Sequence, residues 1–404
     1  MESIATTPAQ RKNARNAVAA GFLGWTIDAF DFFVLVFTVS AIAKDFGRSI
    51  PAIALTITAS LATRPVGAFF FGLLADRFGR RLVLIANILF YSVMEILSGL
   101  AGSYEIFFIL RLLYGIGMGG NWGVGASLAM ESAPPKWRGV LSGLLQEGYA
   151  VGNILAATAY FLVFPHWGWR AMFFVGAAPA LLTIVLCLFV EEPQAWYEAR
   201  TDWATYRAAI FKNFPLFLYL IALMTMMNFI SHGTQDLYPT FLQRARGFDV
   251  STTSIISIIS MTGALAGGLV FGHMSDRRGR RKSMVTAALL GVLTIPLWVL
   301  APNKPLIVAG AFAMQFMVQG AWGIIPAHIN ELSPGPLRGF FPGLAYQCGV
   351  LIASSIGYVE AVLGEHFSYA ASMGGLAAAV LIAGAIVIWA GPEAKGISFV
   401  RGGK

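Results

Sequence analysis

Eight charged side chains stand in stretches that are otherwise apolar: Asp28, Asp31, Arg64, Glu95, Arg111, Glu147, Asp236 and Glu360. A charge in such a setting is costly, so each is a candidate for chemistry, to be weighed against a structural ion pair. Asp28 and Asp31 are three residues apart, hence on one helix face, and two close carboxylates in a low dielectric cannot easily both ionise. A proton can come and go there; otherwise one aspartate caps a broken helix or faces a water-filled cavity. Arg64 precedes Asp76 by twelve residues, about 18 Å along a helix, which places it near the middle of its stretch. Its planar guanidinium can grip a carboxylate through two parallel hydrogen bonds, unless it is tied permanently to Asp28 or Asp31. Asn228, Ser231, His232, Gln235 and Asp236 share an arc of about 140° on a helix, so this face must line a cavity or meet polar partners. His232 with Asp236 suits a proton relay or an anion-binding pair, or a plain hydrogen bond. Arg111 reads mainly as structural, and Glu95, Glu147 and Glu360 have no evident partner.

The elements that position these groups are membrane spans. Of 404 residues, 57% are hydrophobic and 12% charged, against about 25% charged in an average globular protein. A soluble fold of this length could not hide so much apolar surface. Apolar runs at 17–43, 51–75, 82–102, 104–130, 139–163, 168–190, 214–241, 251–275, 283–301, 305–330, 339–363 and 368–391 approach or exceed the roughly 20 residues that a helix needs to cross a bilayer. The fold expected is all-α and integral to the membrane, with twelve transmembrane helices. With the N-terminus cytoplasmic, twenty Lys and Arg residues fall inside and six outside. Both termini are therefore expected in the cytoplasm, in a cell (inner or plasma) membrane. The first run is too long for a signal-peptide core and is expected to remain as a span. Residues 191–213 form the one long polar connection and read as a cytoplasmic linker between halves at 1–190 and 214–404.

The chain repeats itself at an offset of 200. Gly72, Asp76, Arg77, Gly79, Arg80 and Arg81 recur as Gly272, Asp276, Arg277, Gly279, Arg280 and Arg281. Gly120, Trp122, Gly123, Glu131, Pro134, Arg138, Gly139 and Gly143 recur as Gly320, Trp322, Gly323, Glu331, Pro334, Arg338, Gly339 and Gly343. Six spans separate equivalent positions, so the two copies point the same way, the parallel-repeat arrangement of transporters that rock two halves about a midplane site. Gly72-Leu-Leu-Ala-Asp-Arg-Phe-Gly-Arg-Arg81 and its second copy resemble the loop signature of the major facilitator superfamily. Asn228-Phe-Ile-Ser-His-Gly-Thr-Gln-Asp-Leu-Tyr-Pro-Thr240 resembles the pattern Asn-x-x-Ser/Thr-His-x-Ser/Thr-Gln-Asp-x-x-x-Thr of fungal lactate/pyruvate permeases in the sialate:proton symporter family. Trp25-Thr-Ile-Asp-Ala-Phe-Asp-Phe-Phe33 is similar to the first span of that family and of aromatic-acid symporters.

Residues and resemblance together imply a proton-coupled symporter of a small monocarboxylate such as lactate or pyruvate. Arg64, Asn228, His232 and Gln235 are assigned to the substrate, and Asp28, Asp31 and Asp236 to the proton. Asp76, Arg80, Glu131 and Arg138, with their copies Asp276, Arg280, Glu331 and Arg338, are assigned to a gate. Gln146, Tyr149, Gln315, Gln319, Tyr346 and Gln347 could line the cavity. The alternatives are a sialate or aromatic-acid symporter and, in another class, a transport-inactive membrane sensor. The partners expected are the carboxylate, the proton and the lipid bilayer, with a single chain sufficing.

The chain carries no glycine-rich nucleotide loop ending in Lys-Ser/Thr, no nucleophile elbow and no zinc-protease signature, so primary active transport by this chain alone and enzymatic catalysis are not expected. The excess of basic residues belongs to loops and gives no reason to expect nucleic acid. No metal or other cofactor is called for, and Cys187 and Cys348 lie in apolar runs as packing residues. Reporter fusions test the topology: fusions after Lys212 and Lys404 should report cytoplasm and one after Gly247 the outside, and a cytoplasmic signal at Gly247 would overturn the span assignment.

Overall fold

In the computed structural model, residues 8–235, 238–354 and 367–399 are described, and all regular secondary structure among them is helical. α1 (Pro8–Asp45), α2 (Ile50–Phe78), α3 (Arg80–Gly99) and α4 (Tyr104–Ser132) are the first four spans. α5 (Arg138–Gln146) and the start of α6 (Gly148–Leu188) make the fifth, and α6 turns at Gly168, φ 71°, to make the sixth. The segment expected as a plain polar linker contains two short helices, α7 (Gln194–Ala199) and α8 (Trp203–Lys212). α9 (Phe214–Gln235) with α10 (Tyr238–Arg244), α11 (Val250–Arg278) and α12 (Arg280–Val299) follow. α13 (Lys304–Trp322) continues as α14 (Ile325–Leu332), then come α15 (Phe341–Ala353) and α16 (Tyr369–Ala390). The architecture is twelve transmembrane helices in two parallel six-helix repeats. Large apolar side chains such as Phe161 and Leu293, 77% and 74% exposed, cover the outside, as a lipid-facing surface requires.

The repeat is visible in how helices begin and end. Ser49 and Asp249 accept the amides of Ala52 and Thr252 and so cap α2 and α11; Ser103 and Asn303 do the same for α4 and α13. At the other end, Gly79 and Gly279, with φ 110° and 102°, break α2 from α3 and α11 from α12 in a conformation that a side chain would strain. The packing follows the same symmetry, with α2 on α4 and α3 on α4 matched by α11 on α13 and α12 on α13. Contacts between the two repeats, α2 and α4 with α15 and α5 with α11 and α14, gather towards the end that carries the Asp76 and Asp276 loops.

Helices in lipid gain nothing by hiding apolar surface from one another, so close backbone approach and hydrogen bonds must hold them. Between α2 and α4, Ser60 Oγ donates to Arg111 O and Thr63 Oγ1 to Leu112 O, both at 2.9 Å. Gly119 packs so tightly that a Cβ there would lie 1.9 Å from the Arg64 carbonyl oxygen. The glycine cluster of α4 thus fixes the backbone of Arg64. Gly119→Val should push α2 and α4 apart and cost about 1–3 kcal/mol or more, read as a lower thermal midpoint in detergent. Gly375→Ala, where a Cβ would meet open space, is the control and should change the midpoint little.

Candidate functional site

Asp28 and Asp31 on α1, Arg64 on α2, Glu95 on α3 and Arg111 on α4 meet inside the first repeat, each 6% exposed or less. The two guanidinium groups are held differently. Arg111 Nη1 donates to Glu95 Oε2 at 2.5 Å, and its guanidinium carbon lies 3.8 Å from the Tyr114 ring centroid. Glu95 therefore does have a partner, contrary to the sequence reading; it lies on the next helix, where spacing along one helix cannot reveal it. Arg64 Nη2 stands 4.0 Å from Asp28 Oδ2, too long for a hydrogen bond, and donates instead to the Met118 thioether at 3.2 Å. Arg64 Nε and Asp28 Oδ1 have no hydrogen-bond partner among the described residues. Asp31 lies within electrostatic range of Asp28, Glu95 and Arg111. Three carboxyls and two guanidinium groups thus share one buried region.

An aromatic group closes over this cluster. Tyr346 on α15 comes within electrostatic range of Arg64 and Asp28. Its ring centroid lies 4.5 Å from that of Trp122, 6.0 Å from Trp322 and 6.2 Å from Trp25, and Trp25 stacks on Tyr149 at 5.8 Å. The tryptophans repeated at offset 200 therefore flank one tyrosine. Trp122 Nε1 donates to Gln146 Oε1 at 3.3 Å and Trp322 Nε1 to Met227 O at 3.2 Å.

The polar face of α9 is partly engaged within its own repeat. Asn228 Nδ2 donates to Met224 O at 2.7 Å, and Gln235 Nε2 donates to Gln315 Oε1 at 2.7 Å. These bonds hold both amides to their own repeat rather than to Arg64. His232 is partly buried on the same helix, and Asp236, assigned with it, lies outside the described residues, as does Glu360. Glu147 is buried at the break between α5 and α6, with its carboxylate against Gly268 of α11.

At the charged end the repeats cap each other. Asp76 Oδ1 accepts Gly339 N–H at 2.7 Å and Oδ2 accepts Phe340 N–H at 3.1 Å. Reciprocally, Asp276 Oδ1 accepts Gly139 N–H at 2.8 Å and Oδ2 accepts Val140 N–H at 3.1 Å. Arg80 joins Asp76 to Glu131 at 2.6 and 3.0 Å; Arg280 joins Asp276 to Glu331 at 2.7 and 2.9 Å. Arg138 crosses between repeats, donating to Glu331 Oε1 at 3.0 Å. Arg338 does not return the gesture: its guanidinium carbon sits 3.9 Å from the Phe399 ring centroid.

The sequence matches the Major Facilitator Superfamily over residues 21–253 and again over 236–401. The chain belongs to the Major Facilitator Superfamily. It is 30% identical to a carboxylic acid transporter protein homolog of Saccharomyces cerevisiae over 86% of this chain, which spans 61% of the yeast protein. It is also 30% identical to the sialic acid transporter NanX of Escherichia coli, over 85% of this chain and 84% of that one. A cis,cis-muconate transport protein of Acinetobacter baylyi is 27% identical over 82% and 83% of the two chains. Among solved structures, the proton:xylose symporter XylE aligns with a TM-score of 0.77 over 96% of this chain and 98% of that one, at 18% identity, which speaks to fold alone. As a member of this superfamily the chain is a multi-pass membrane transporter and not an enzyme.

Several groups at the closed end of this superfamily member escape a reading of motifs. Glu192 accepts the amides of Arg80 and Arg81 at the start of α3, and Glu393 accepts those of Arg280 and Arg281 at the start of α12. Burial raises the Glu192 carboxyl above its usual range, against the downward pull of those amides. The pair recurs at an offset of 201, one residue out of step with the rest. Tyr206 of α8 donates to Asp76 Oδ2 at 2.9 Å. The segment after α16 crosses the gate: Arg138 Nη1 donates to Ile397 O at 3.0 Å, and Phe399 lies between Arg138 and Arg338, 3.8 and 3.9 Å from their guanidinium carbons.

If these contacts hold the end shut, Asp276→Ala should open it. Ser142, buried where its hydroxyl accepts Ala327 N–H across the repeats, supplies the probe. In a variant lacking Cys187 and Cys348, maleimide labelling of Ser142→Cys in detergent should rise several-fold on adding Asp276→Ala, with ligand affinity little changed. Equal labelling in both backgrounds would show that Asp276 is no latch.

Proposed function

We propose that this chain is a proton-coupled symporter of a small monocarboxylate such as lactate or pyruvate, working by alternating access. The observation that carries the proposal is the slack pair of Arg64 and Asp28. Their charges lie 4.0 Å apart while Arg64 Nε and Asp28 Oδ1 remain without hydrogen bonds among the described residues. An incoming carboxylate can take the guanidinium edge that Asp28 fails to bond. Asp28 then loses its counter-charge in a low dielectric and binds a proton, so anion and proton move together. Asp31 and Asp236 complete the acids assigned to proton transfer, and Asn228, His232 and Gln235 offer the substrate polar contacts from the second repeat. Asp76, Arg80, Glu131, Arg138, Asp276, Arg280, Glu331 and Arg338 serve as the latch. With both termini cytoplasmic, the latched end is the cytoplasmic one and the conformation described faces outwards.

The relatives named for carboxylic acids, sialic acid and muconate support an organic-acid substrate. The rings of Trp25, Trp122, Trp322 and Tyr346 beside Arg64 favour a second reading, a sialate or an acid with a flat unsaturated body. Counterflow in proteoliposomes with labelled lactate, pyruvate, acetate, benzoate, muconate and sialate decides between them.

The symport mechanism makes a joint prediction. An inward proton gradient should drive accumulation, and Asp28→Asn, Asp31→Asn or Asp236→Asn should in at least one case abolish uphill uptake while sparing exchange at equal pH. Arg64→Lys should weaken uptake strongly because the planar fork is lost, and Arg64→Gln should nearly abolish it in a protein that still reaches the membrane. Accumulation that ignores collapse of the proton gradient would refute coupling. Normal affinity in folded Arg64→Gln would refute the carboxylate site.

A further inference from the structure

A groove of about 500 Å³ opens on the surface of the bundle between α1 and the segment that leads into α5. Its α1 wall is a single helix stripe, with Arg11 and Arg15 at the mouth, small side chains at Ala14 and Ala19, and Phe22 at the far end. The small residues leave the room. Leu141 and Leu144 of α5 form the facing wall, and Trp137, 51% exposed, stands at the rim. From Arg11 to Phe22 the helix rises about 16 Å, close to half of a hydrocarbon core roughly 30 Å thick. The groove is thus one leaflet deep, basic where headgroups lie and apolar below. Among the described residues no acidic one lines it, and Lys12 and Lys136 adjoin lining residues in sequence. Indole rings settle at the membrane–water interface, and basic pockets between spans select anionic headgroups.

We propose that this groove is a binding site for an anionic glycerophospholipid, with the phosphate at Arg11 and Arg15 and an acyl chain against Ala19, Leu141 and Leu144. The site is separate from the Arg64 cluster and independent of which acid is carried.

Native mass spectrometry of the delipidated full chain, titrated with phosphatidylglycerol or phosphatidylethanolamine, tests it. The wild type should bind phosphatidylglycerol roughly tenfold more tightly than phosphatidylethanolamine. Arg11→Gln with Arg15→Gln, both exposed positions, should remove that preference, with the thermal midpoint read alongside to show that the fold is kept. Ala19→Trp, which fills the groove and keeps the charges, should weaken both lipids, and glycerol phosphate should not compete. A preference that survives the double arginine variant, or binding unaffected by Ala19→Trp, would place the lipid elsewhere and overturn the site. Competition by glycerol phosphate would make it an anion site without a lipid and overturn the proposal equally.

Discussion

A guanidinium or carboxylate taken out of water loses several kcal/mol of solvation, and a single buried partner seldom restores it all. That constraint orders the interior of this chain. Arg111 meets it with a close ion pair, Glu95 at 2.5 Å and the face of Tyr114 beside it. Arg80 and Arg280 meet it with two carboxylates each. Arg64 meets it only loosely, with a carboxylate at 4.0 Å and a thioether. A fully satisfied arginine has little to gain from a ligand, because any new bond replaces an equivalent one. Within this cluster Arg64 is the more loosely held arginine, the one to which the proposed carboxylate would add most, and it shares its region with three acids and one other base. In the proposed symport it is this charge count, and not the identity of any single aspartate, that would tie anion entry to proton entry.

The closed end obeys a different logic. Four backbone amides are held by two aspartates across the repeats, and hydrogen bonds to a charged group contribute about 1.5–3 kcal/mol each. Left unopposed, such contacts would keep the open form at a very small population. On the proposed alternating-access cycle, comparable energy must be recovered when the amides of Gly139, Val140, Gly339 and Phe340 are released, from water or from contacts at the opposite end. The two halves of the latch are also unequal. Asp76 has the extra hydroxyl of Tyr206, whereas Arg138 has both Glu331 and the carbonyl of Ile397. Segments outside the repeated helices, α8 and the stretch after α16, break a symmetry that the motifs alone would suggest.

Span positions were legible because charges, caps and glycine breaks bound them within a few residues. The first helix is the instructive miss. It begins at Pro8, well before residue 17, because hydropathy marks where lipid begins and not where hydrogen bonding does, and Gln10–Asn16, polar except for Ala14, continue the helix. Candidate charges were legible for the same reason that they are rare. Their partners were not: Glu95 finds Arg111 on another helix, Arg138 finds Glu331 on another repeat, and neither distance is encoded in spacing. Glu192 and Glu393 stayed hidden because their offset of 201 falls out of register with the repeat. The grouping of Trp122 and Trp322 about Tyr346 needs three spans to converge, which no pattern along one of them announces.

One helix joins the Arg64 region to the charged end. Along a single face of α4, at steps of four residues, Gly119 abuts the Arg64 carbonyl and Gly123 the Cα of Gly343 in the other repeat. Ser127 donates to Arg338 O, and Glu131 accepts Arg80 in the latch. From Gly119 to Glu131 is about 18 Å of unbroken helix, with Trp122 on its flank against Tyr346. Parting the repeats at the charged end must break the Gly123–Gly343 and Ser127–Arg338 contacts on the same surface that seats Arg64. Because α4 bonds to α2 at both Arg111 and Leu112, a shift of α4 during opening carries the Arg64 backbone with it or loses those bonds. Arg64 and the charged end therefore cannot be rearranged independently, which on the proposed reading couples the substrate arginine to the latch, and the glycines that make the contact so close are what make it unforgiving.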